Sequence, residues 1–416
     1  MSKRVTMRAM RTGETFETDR LMEPSAAVAA YLAAAAPHPL GVEHVPLEAA
    51  FARILAEDVH AQTFVPADDR STMDGFAVRS ADGLAARRIT GTVRMGHAPP
   101  GPVHPGEAMR IPTGGVVPLG ADTIVPVEDA LERDEEIIPT EAPQAGGYLT
   151  RRGEDMAPGA LILTAGRRIG AAELSVLATV GRVVVPVYRR PRVAIVSTGD
   201  ELVDASIRPG TGQVRDSNRW AIAGGLAALG CDVLHLPRAA DEVAATVAQI
   251  VAGLERADAV VLTGGSSVGV RDHVPAAIDQ LGAPGVIVHG LRVKPGKPAV
   301  LAAIGARPVI GLPGNPTSAL TILDAVAAPI FRALTGERAG ERAAIATRAA
   351  APFPGREGWT WYVPAVVDAA GARPLVLRSS HTSLLARASG YVVVGPHPGH
   401  VEAGAPVRVV RFLGAS

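Results

Sequence analysis

The sequence predicts a multidomain protein built around a three-layer α/β domain with a parallel-type sheet. At 416 residues the chain is long enough for about two to four domains. Between residues 190 and 335, short apolar runs typical of buried strands alternate with helical segments, which is the pattern of parallel βαβ units. Short β-rich runs interrupted by Pro and Gly lie on both sides of this region and predict smaller β domains.

The elements of the α/β domain follow one another in a regular order. The run "RVAIVST" at 192–198 predicts a buried strand, and residues 217–230 predict a helix with Ser217 as N-cap and Gly230 as its end. The later segments continue the alternation: strand 231–236, helix 241–256, strand 258–265, helix 274–281, strands 299–304 and 308–312, and helix 316–335.

The flanking regions are predicted in the same way. Residues 24–36, 46–57 and 171–180 read as helices, and "YVVVG" and "PVRVVRF" near the end read as strands. The expected division has five parts: a disordered segment 1–22; an N-terminal mixed α/β domain of 23–75 and 150–185; an inserted small β domain 76–149; the α/β domain 190–335; and a barrel-like C-terminal β domain 341–416.

Composition excludes several classes of function. Lys and Arg together balance Asp and Glu at 41 each, which argues against a nucleic-acid or membrane-surface partner. The single cysteine, Cys231, excludes an internal disulfide and a multi-cysteine metal site. The first twenty residues lack the apolar core of a signal peptide, and the apolar run 26–36 is too short to span a bilayer. We expect a soluble cytoplasmic protein.

Two rare residue types occur only in short motifs. Apart from Lys3, the lysines are Lys294 and Lys297, both in "KPGKP", and the asparagines are Asn218 in "RDSN" and Asn315 in "LPGNP". A chain that otherwise avoids Lys and Asn is expected to keep them where their chemistry is needed.

Polar and Gly-rich loops follow the predicted strands. They are "STGDEL" at 197–202, "TGGSSVGVRD" at 263–272 and "GLPGNP" at 311–316, with "KPGKP" before a late strand. Ligands of parallel sheets bind at the carboxyl ends of strands, and backbone N–H groups of such loops suit anionic oxygens. Glu201 and Asp272 would repel a bare phosphate but would become ligands of a divalent cation. The loops therefore predict phosphoanhydride chemistry with Mg²⁺.

Each motif taken alone also fits a simpler interpretation. The Gly-rich loop fits an ordinary turn, and Asp200 fits a helix cap. The two lysines fit a solvated charge pair, although their isolation in a Lys-poor chain weakens that interpretation. Cys231 is expected to be a small core residue, and His273 and His289 lack the spacing of metal ligands.

Together the motifs carry a resemblance. They are "STMDGFAV" (71–78), "IPTGG" (111–115), "GED" (153–155), "STGDEL" (197–202), "DSN" (216–218), "TGGSSVG" (263–269), "KPGKP" (294–298) and "LPGNP" (312–316). In this order and spacing the chain resembles the molybdopterin molybdenumtransferase family over residues 24–416, and it is similar also to the C-terminal domain of gephyrin.

The resemblance implies a specific reaction and assembly. The α/β domain would bind adenylylated molybdopterin, and molybdate would be the second substrate, giving molybdenum cofactor and AMP with Mg²⁺ as cofactor. The protein would be an elongated homodimer in which 23–75 and 150–185 link the subunits. The cleft would be completed by the partner's small β domain, and the preceding adenylyltransferase would be a further partner.

The resemblance also implies roles for individual residues. The catalytic set is Asp74, Thr113, Glu201, Asp272, Lys294 and Lys297, with the lysines at the pyrophosphate and molybdate. Asp241 and Asp272 would bind the metal. The substrate-binding set is Thr198, Gly199, Asp216, Ser217, Asn218, Gly264, Gly265, Ser266, Ser267, Gly269, Pro313, Gly314, Asn315, Pro316 and Ser318.

The chain also departs from the family pattern, and rival functions stay open. Phe76 stands where Tyr is usual, and "SSH" at 379–381 replaces a "Gly-Ser-Gly" stretch, which puts the contribution of the last domain to the site in question. The alternatives are a molybdopterin adenylyltransferase, a gephyrin-like scaffold without catalysis, and insertion of tungstate instead of molybdate.

Overall fold

The computed structural model describes residues 21–265, 273–338, 340, 342–375 and 382–414. Most of the segment 1–22 that we expected to be disordered lies outside this part of the chain. Its last two residues are ordered, because Leu21 is buried and Met22 forms a β-bridge with Leu291.

The first described elements belong to two different units. They are helix α1 (Pro24–Ala35) and strands β1 (Val42–Pro46), β2 (Val59–His60) and β3 (Arg70–Ser71). Glu23 caps α1, since its carboxylate accepts hydrogen bonds from the backbone N–H groups of Ser25 and Ala26. Tyr31 of this helix is fully buried in the main core of the α/β domain. Helix α1 therefore packs on the α/β domain, although its sequence lies in the N-terminal segment.

The expected helix over 46–57 is wrong. Only Leu47–Ala49 forms a 3₁₀ turn there. The backbone N–H groups of Leu47, Leu55 and Ala56 donate to carbonyls of residues 183, 167 and 186 instead of to their own preceding turn. Long-range pairing has replaced the local helical hydrogen bonds that the sequence pattern favoured.

The inserted small domain is a six-stranded sheet with the order β7-β4-β6-β5-β9-β8. Its strands are β4 (Gly75–Val78), β5 (Arg87–Thr92), β6 (Glu107–Ile111), β7 (Thr123–Pro126), β8 (Ala130–Arg133) and β9 (Glu136–Pro139). Apolar side chains cover both faces in two small cores, one around Met109 and one around Phe76. Phe76 is 2% exposed with the Arg110 guanidinium over its ring, so this position is part of the domain core.

The chain then returns to the N-terminal unit. The returning elements are β10 (Leu149–Thr150), β11 (Leu161–Leu163), helix α2 (Ala171–Thr179) and β12 (Val184–Tyr188). Strands β10, β11 and β12 pair antiparallel with β3, β2 and β1 respectively. The unit is therefore assembled from two stretches of chain that flank the inserted sheet.

The α/β domain has the expected three layers. Its elements are β13 (Arg192–Ser197), β14 (Leu202–Val203), β15 (Val214–Arg215), α3 (Asn218–Ala228), β16 (Asp232–His235), α4 (Val243–Arg256), β17 (Ala259–Thr263), α5 (His273–Ile278), β18 (Pro284–His289), β19 (Val293–Lys294), β20 (Val300–Ile304), β21 (Arg307–Leu312), α6 (Pro316–Ile322), a π-helical turn (Leu323–Ala327) and α7 (Ala328–Thr335). Helices α1, α3, α6 and α7 cover one face of the central sheet, and α4 and α5 cover the other.

The central sheet is mixed, with a parallel core. Its order is β16-β13-β17-β21-β20-β18; the first four strands are mutually parallel, while β20 is antiparallel to both of its neighbours. The stretch Pro316–Thr335 is long and apolar enough to cross a membrane, but 72% of its most apolar window is buried inside the protein, which identifies it as a core helix.

The C-terminal domain closes into a barrel-like sheet, as the sequence predicted. Its elements are β22 (Ala344–Arg348), β23 (Thr360–Asp368), β24 (Gly371–Pro374), α8 (Thr382–Arg387), β25 (Gly390–Val394) and β26 (Pro406–Val410). The strand order is β19-β23-β25-β26-β22, and β24 pairs with β23 while bridging to Ala349 at the end of β22. Strand β19, from the α/β part of the sequence, thus forms an edge of this second sheet.

Candidate functional site

A cleft of about 780 Å³ lies at the carboxyl ends of β13, β17 and β21. This is the sheet edge at which the sequence predicted a site, because carboxyl ends of neighbouring parallel strands meet there. The lining residues are Thr198, Gly199, Glu201, Leu202, Val214, Arg215, Asp216, Ser217, Asn218, Asp241, Thr263, Gly264, Gly265, Pro298, Pro313, Gly314, Asn315, Pro316, Ser318 and Thr382. The structure therefore brings together the described members of the predicted substrate-binding set.

The loop after β13 and the loop after β17 are in close contact. Thr198 is 4% exposed, and its backbone N–H donates to the carbonyl of Thr263. Gly264 has φ of +93°, and a Cβ there would collide with the backbone of Thr198. Glycine is required at this point because it tolerates both the positive φ and the close approach of the neighbouring loop.

Asn218 connects two of the loops. It is 8% exposed, and its Nδ2 donates to Thr263 Oγ1 at 2.8 Å and to the carbonyl of Gly314 at 2.8 Å. A single side chain at the start of α3 thus ties the Gly-rich loop to the "LPGNP" turn. Asn315 and Pro316 then begin α6 as its N-cap and first residue.

Several buried polar atoms around the cleft have no hydrogen-bond partner among the described residues. They are Ser197 Oγ, Thr198 Oγ1, Asn218 Oδ1 and Asp216 Oδ2. Buried polar groups are normally satisfied, so unpaired ones gathered at one cleft are typical of a site that acquires partners from a ligand.

The lining carries more negative than positive charge. Glu201, Asp216 and Asp241 contribute carboxylates, and Arg215 is the one cation among the described lining residues. Asp216 Oδ1 accepts from the backbone N–H of Arg219 at 3.2 Å, and its Oδ2 lies 3.7 Å from Arg219 Nε. Asp200 Oδ1 accepts weakly from the backbone N–H of Asp241 at 3.4 Å, which ties two loops together; it caps no helix, contrary to expectation, since α4 has no side-chain cap. Oxygen ligands of this kind suit a hard divalent cation, which would also relieve their mutual repulsion.

The structure does not place the two lysines in the lining of this cleft. The Nζ of Lys294 lies 4.1 Å from the centroid of the Trp361 ring, and strand β19 pairs with β23 of the C-terminal domain. Pro298, which follows Lys297, does line the cleft. We expected both lysines at the pyrophosphate and molybdate, and that role stays a prediction. The turn lies at the border of the cleft, where β-pairing and the cation–π contact hold it against the C-terminal sheet.

A close backbone packing fixes the lysine turn. Gly296 has φ of +110°, and a Cβ at this position would collide with Ile322 of α6. The glycine between the lysines therefore lets the turn lie directly against the helix that begins at "LPGNP".

Asp74 and Thr113 meet on the inserted small domain. Asp74 Oδ1 accepts from the Thr113 backbone N–H at 2.6 Å and from its hydroxyl at 2.9 Å. The backbone N–H first, and the hydroxyl second, lower the pKa of the Asp74 carboxyl from its usual value. Neither residue lines the cleft of its own chain as far as the described residues show.

Some predictions lie outside the described residues. Ser266, Ser267, Gly269 and Asp272 are in this group, as is the stretch 379–381. Thr382, which follows that stretch, lines the cleft and shows that the C-terminal domain does contribute to it. Sequence reasoning missed Thr382 and Trp361, since neither lies in a motif that local patterns single out.

Cys231 has the structural role that was expected. It is 4% exposed at the α3–β16 junction, and burial raises the pKa of its thiol to about 12. A thiol of this kind is not a nucleophile at neutral pH.

The fold and cleft together define a multidomain protein whose α/β domain carries a cleft at the ends of its parallel strands. Residues 22–181 match the family described as "MoeA N-terminal region (domain I and II)", and residues 194–333 match "Probable molybdopterin binding domain". The chain belongs to the molybdopterin molybdenumtransferase family, whose members are transferases of molybdenum cofactor biosynthesis. The resemblance found in the motifs is confirmed.

Individual relatives span most of the chain. It is 35% identical over 332 residues to a molybdopterin molybdenumtransferase of Synechococcus elongatus, covering 76% of this chain and 81% of that protein. It is 30% identical over 391 residues to one of Haemophilus influenzae, covering 90% and 95%. Among solved structures, a molybdopterin biosynthesis MoeA protein from Pyrococcus horikosii is similar with a TM-score of 0.77 at 30% identity, covering 95% of this chain and 100% of that one.

Proposed function

We propose that the protein transfers molybdate to adenylylated molybdopterin and releases AMP, acting in the cytoplasm. The observation that carries this proposal is the cleft itself, in which Gly-rich loops, unpaired buried polar atoms and three carboxylates meet at one sheet edge. The relatives' name supports the same reaction.

In the proposed complex, the loops after β13 and β17 hold the phosphoanhydride through their backbone N–H groups. Asn218 keeps these loops in register with the "LPGNP" turn and leaves its Oδ1 free, among described residues, to accept from the ligand. The dithiolene sulfurs replace oxygen ligands of molybdate, and soft sulfur donors suit the resulting molybdenum centre.

Mg²⁺ fits the residues present. The structure describes no cluster of three or more His, Cys, Asp or Glu side chains preformed around one ion, but Glu201 and Asp241 line the same cleft as Asp216. We propose Asp241 as a ligand, with Asp272 from the adjoining loop as the second. When bound, the ion would neutralise the phosphoanhydride oxygens and stabilise the AMP leaving group.

We also propose that the working unit is a homodimer with shared clefts. Asp74 and Thr113 are pre-oriented by their mutual hydrogen bonds but do not line the cleft of their own chain. The N-terminal unit exposes large apolar side chains, including Phe51 at 60% and Val183 at 65%, which suit contact with a second copy. In that arrangement Asp74 of one subunit would reach the cleft of the other.

The direct test is AMP release from adenylylated molybdopterin in the presence of Mg²⁺ and either molybdate or tungstate. We expect release that requires the oxyanion and is lost in Asp241→Ala, while Glu255→Ala, an exposed carboxylate on α4, serves as the matched control. The two oxyanion arms show which one is preferred. Absence of oxyanion-dependent release from freshly made substrate would leave a binding role without catalysis.

Shared clefts are tested by mixing two inactive variants, Asp74→Ala and Asp241→Ala. If each cleft uses one residue from each subunit, hybrid dimers should regain about one working site in two. Because the subunits must exchange, the mixture is co-expressed with different tags and the hybrid is purified. An inactive purified hybrid would place both residues in a cleft formed by one chain.

A further inference from the structure

A second, smaller pocket of about 280 Å³ lies where three parts of the molecule meet. It is lined by Arg332 of α7, by Glu337 and Arg338 after that helix, and by Arg342 and Arg411 of the C-terminal domain. The backbone N–H of Arg338 donates to the carbonyl of Gly166, which attaches this loop to the N-terminal unit as well. None of its residues belongs to the cleft described above.

The charges of this pocket do not balance. Four arginines and one carboxylate, Glu337, line it, so positive charge is in excess among its described lining residues. Glu337 is already engaged, since both of its oxygens accept from Arg168 at 2.9 Å and Arg332 Nε lies 3.6 Å away. Asp324, outside the lining, supplies the counter-charge of Arg342, so the arginines without a carboxylate partner among the described residues are Arg338 and Arg411.

Two of the arginines are fixed by the protein, and two are not. Arg342 is held by a bidentate contact with buried Asp324 and by Tyr391 and the carbonyl of Arg411. Arg332 is held by Glu337. By contrast, the guanidinium groups of Arg338 and Arg411 donate to no acceptor in the described ranges, although their backbone groups are bonded.

We propose that this junction pocket binds a small tetrahedral oxyanion of the phosphate class, held mainly by Arg338 and Arg411. The planar guanidinium group pairs two N–H donors with two oxygens of such an ion, which a lysine cannot do. The pocket has about a third of the volume of the main cleft, which suits a single small ion better than a nucleotide.

The bound ion would also act on the arrangement of the domains. Its oxygens would join an arginine from the end of α7 to one from the last strand region, across the boundary that the Asp324–Arg342 pair already spans. A ligand that binds only the folded, assembled junction raises the unfolding temperature as its concentration rises. The site is therefore expected to stabilise the junction without taking part in the reaction.

The test is calorimetric titration of the full chain with inorganic phosphate at constant ionic strength, without molybdate or pterin. We expect about one ion per chain, and a Kd at least about tenfold weaker in Arg338→Ala/Arg411→Ala. Arg256→Ala, which removes an exposed arginine from α4, is the matched control and should bind like the wild type. Should the double variant fold poorly, Arg338→Gln alone should still weaken binding. Equal affinity in wild type and variants would overturn the proposal.

Two further arms separate this site from other sources of phosphate binding. The double variant Lys294→Ala/Lys297→Ala should retain phosphate binding. If this variant no longer bound phosphate, the ion would bind at the border of the main cleft instead, and the proposal would be overturned. Sulfate, with the same shape, should compete with phosphate. Binding of adenosine phosphates without binding of either small ion would also overturn the proposal. None of these measurements depends on AMP release, so they fail independently of the proposed reaction.

Discussion

Two sets of carboxylates in the α/β domain differ in how the protein satisfies them. Asp324, in the π-helical turn, is 1% exposed and accepts from both terminal nitrogens of Arg342 and from the Leu413 N–H, at 2.7–2.8 Å. In the cleft, no described residue donates a hydrogen bond to the side chains of Glu201 or Asp241, and Asp216 Oδ2 has only a long contact of 3.7 Å with Arg219 Nε. The same chemical group is thus completed by the protein in one place and left incomplete in the other.

The difference shows how a structural carboxylate is separated from a functional one. Burial alone does not decide, because Asp216 at 4% exposed is nearly as buried as Asp324. What distinguishes them is how closely the fold engages each carboxylate, because Asp324 accepts two short hydrogen bonds from Arg342, whereas Asp216 Oδ2 lies 3.7 Å from Arg219 Nε. Asp324 joins the last helices of the α/β domain to the C-terminal domain, whereas the cleft carboxylates face a space that a metal and substrate can fill.

The largest effect is expected for Asp324→Ala. Removing one partner of a buried ion pair leaves the other charge uncompensated and costs about 3–5 kcal/mol. The free energy of unfolding, measured by urea denaturation, should fall by that amount. Glu255→Ala, on the exposed side of α4, should change it by no more than about 0.5 kcal/mol. If Asp324→Ala lowered the free energy of unfolding by less than about 1 kcal/mol, the Asp324–Arg342 pair would be worth no more than an exposed ion pair. Asp324 would then not differ in this respect from the cleft carboxylates.

Lys297→Ala tests a cation at the border of the cleft that holds the incomplete carboxylates. If this lysine stabilises charge that develops on the substrate in a site from which water is excluded, turnover should fall by about 10²–10³. Single-turnover AMP release measures the effect, and urea denaturation should show that stability is little changed. A wild-type rate would confine the lysine to a structural role at the border with the C-terminal domain.

Asp241→Asn should give the opposite profile to Asp324→Ala. Replacing one anionic ligand by a neutral one should raise the Mg²⁺ concentration for half-maximal AMP release by about tenfold or more. Because Asp241 has no cation to lose among the described residues, the free energy of unfolding should change by less than about 0.5 kcal/mol. An unchanged Mg²⁺ titration would exclude Asp241 as a ligand.

Much of this architecture could be predicted from the sequence because it depends on local patterns. Apolar runs such as 192–198 and 259–263 became the expected strands, and the Gly-rich and "LPGNP" loops lie together because parallel strands end at one edge. Asn218 stood out through the rarity of its residue type, and the structure shows it connecting two of these loops.

The failures come from long-range pairing. The segment 46–57 has a helical pattern but gives its backbone N–H groups to residues 167, 183 and 186, and α1 packs against a domain distant in sequence. The surroundings of the lysine turn could not be predicted either, because nothing local reveals that β19 joins the C-terminal sheet or that Trp361 lies under Lys294. Asp324 was missed for the same reason, since its partner Arg342 belongs to another domain.

The smallest effect concerns Asp74, an exposed carboxylate that is nevertheless satisfied. The Thr113 N–H and hydroxyl both stabilise the charged form of Asp74 and lower its pKa. The stabilisation from these hydrogen bonds is therefore fully present at pH values above the pKa of Asp in the unfolded chain, which is about 3.9. It is lost only as pH falls through the lower folded pKa. Thr113→Ala keeps the N–H donor but removes the hydroxyl, and should therefore raise the Asp74 pKa partway toward its usual value.

The measurement is a carboxyl ¹³C NMR titration of Asp74 between about pH 2 and 6, around the ordinary Asp value. Thr72→Ala, which removes a neighbouring exposed hydroxyl that makes no hydrogen bond to Asp74 among the described residues, is the control. Identical curves for Thr113→Ala and wild type would mean that the hydroxyl does not orient the carboxylate. A shifted curve would show that this loop presents an ionised, pre-oriented carboxylate at neutral pH, which is the state that a cleft completed by a second subunit would require.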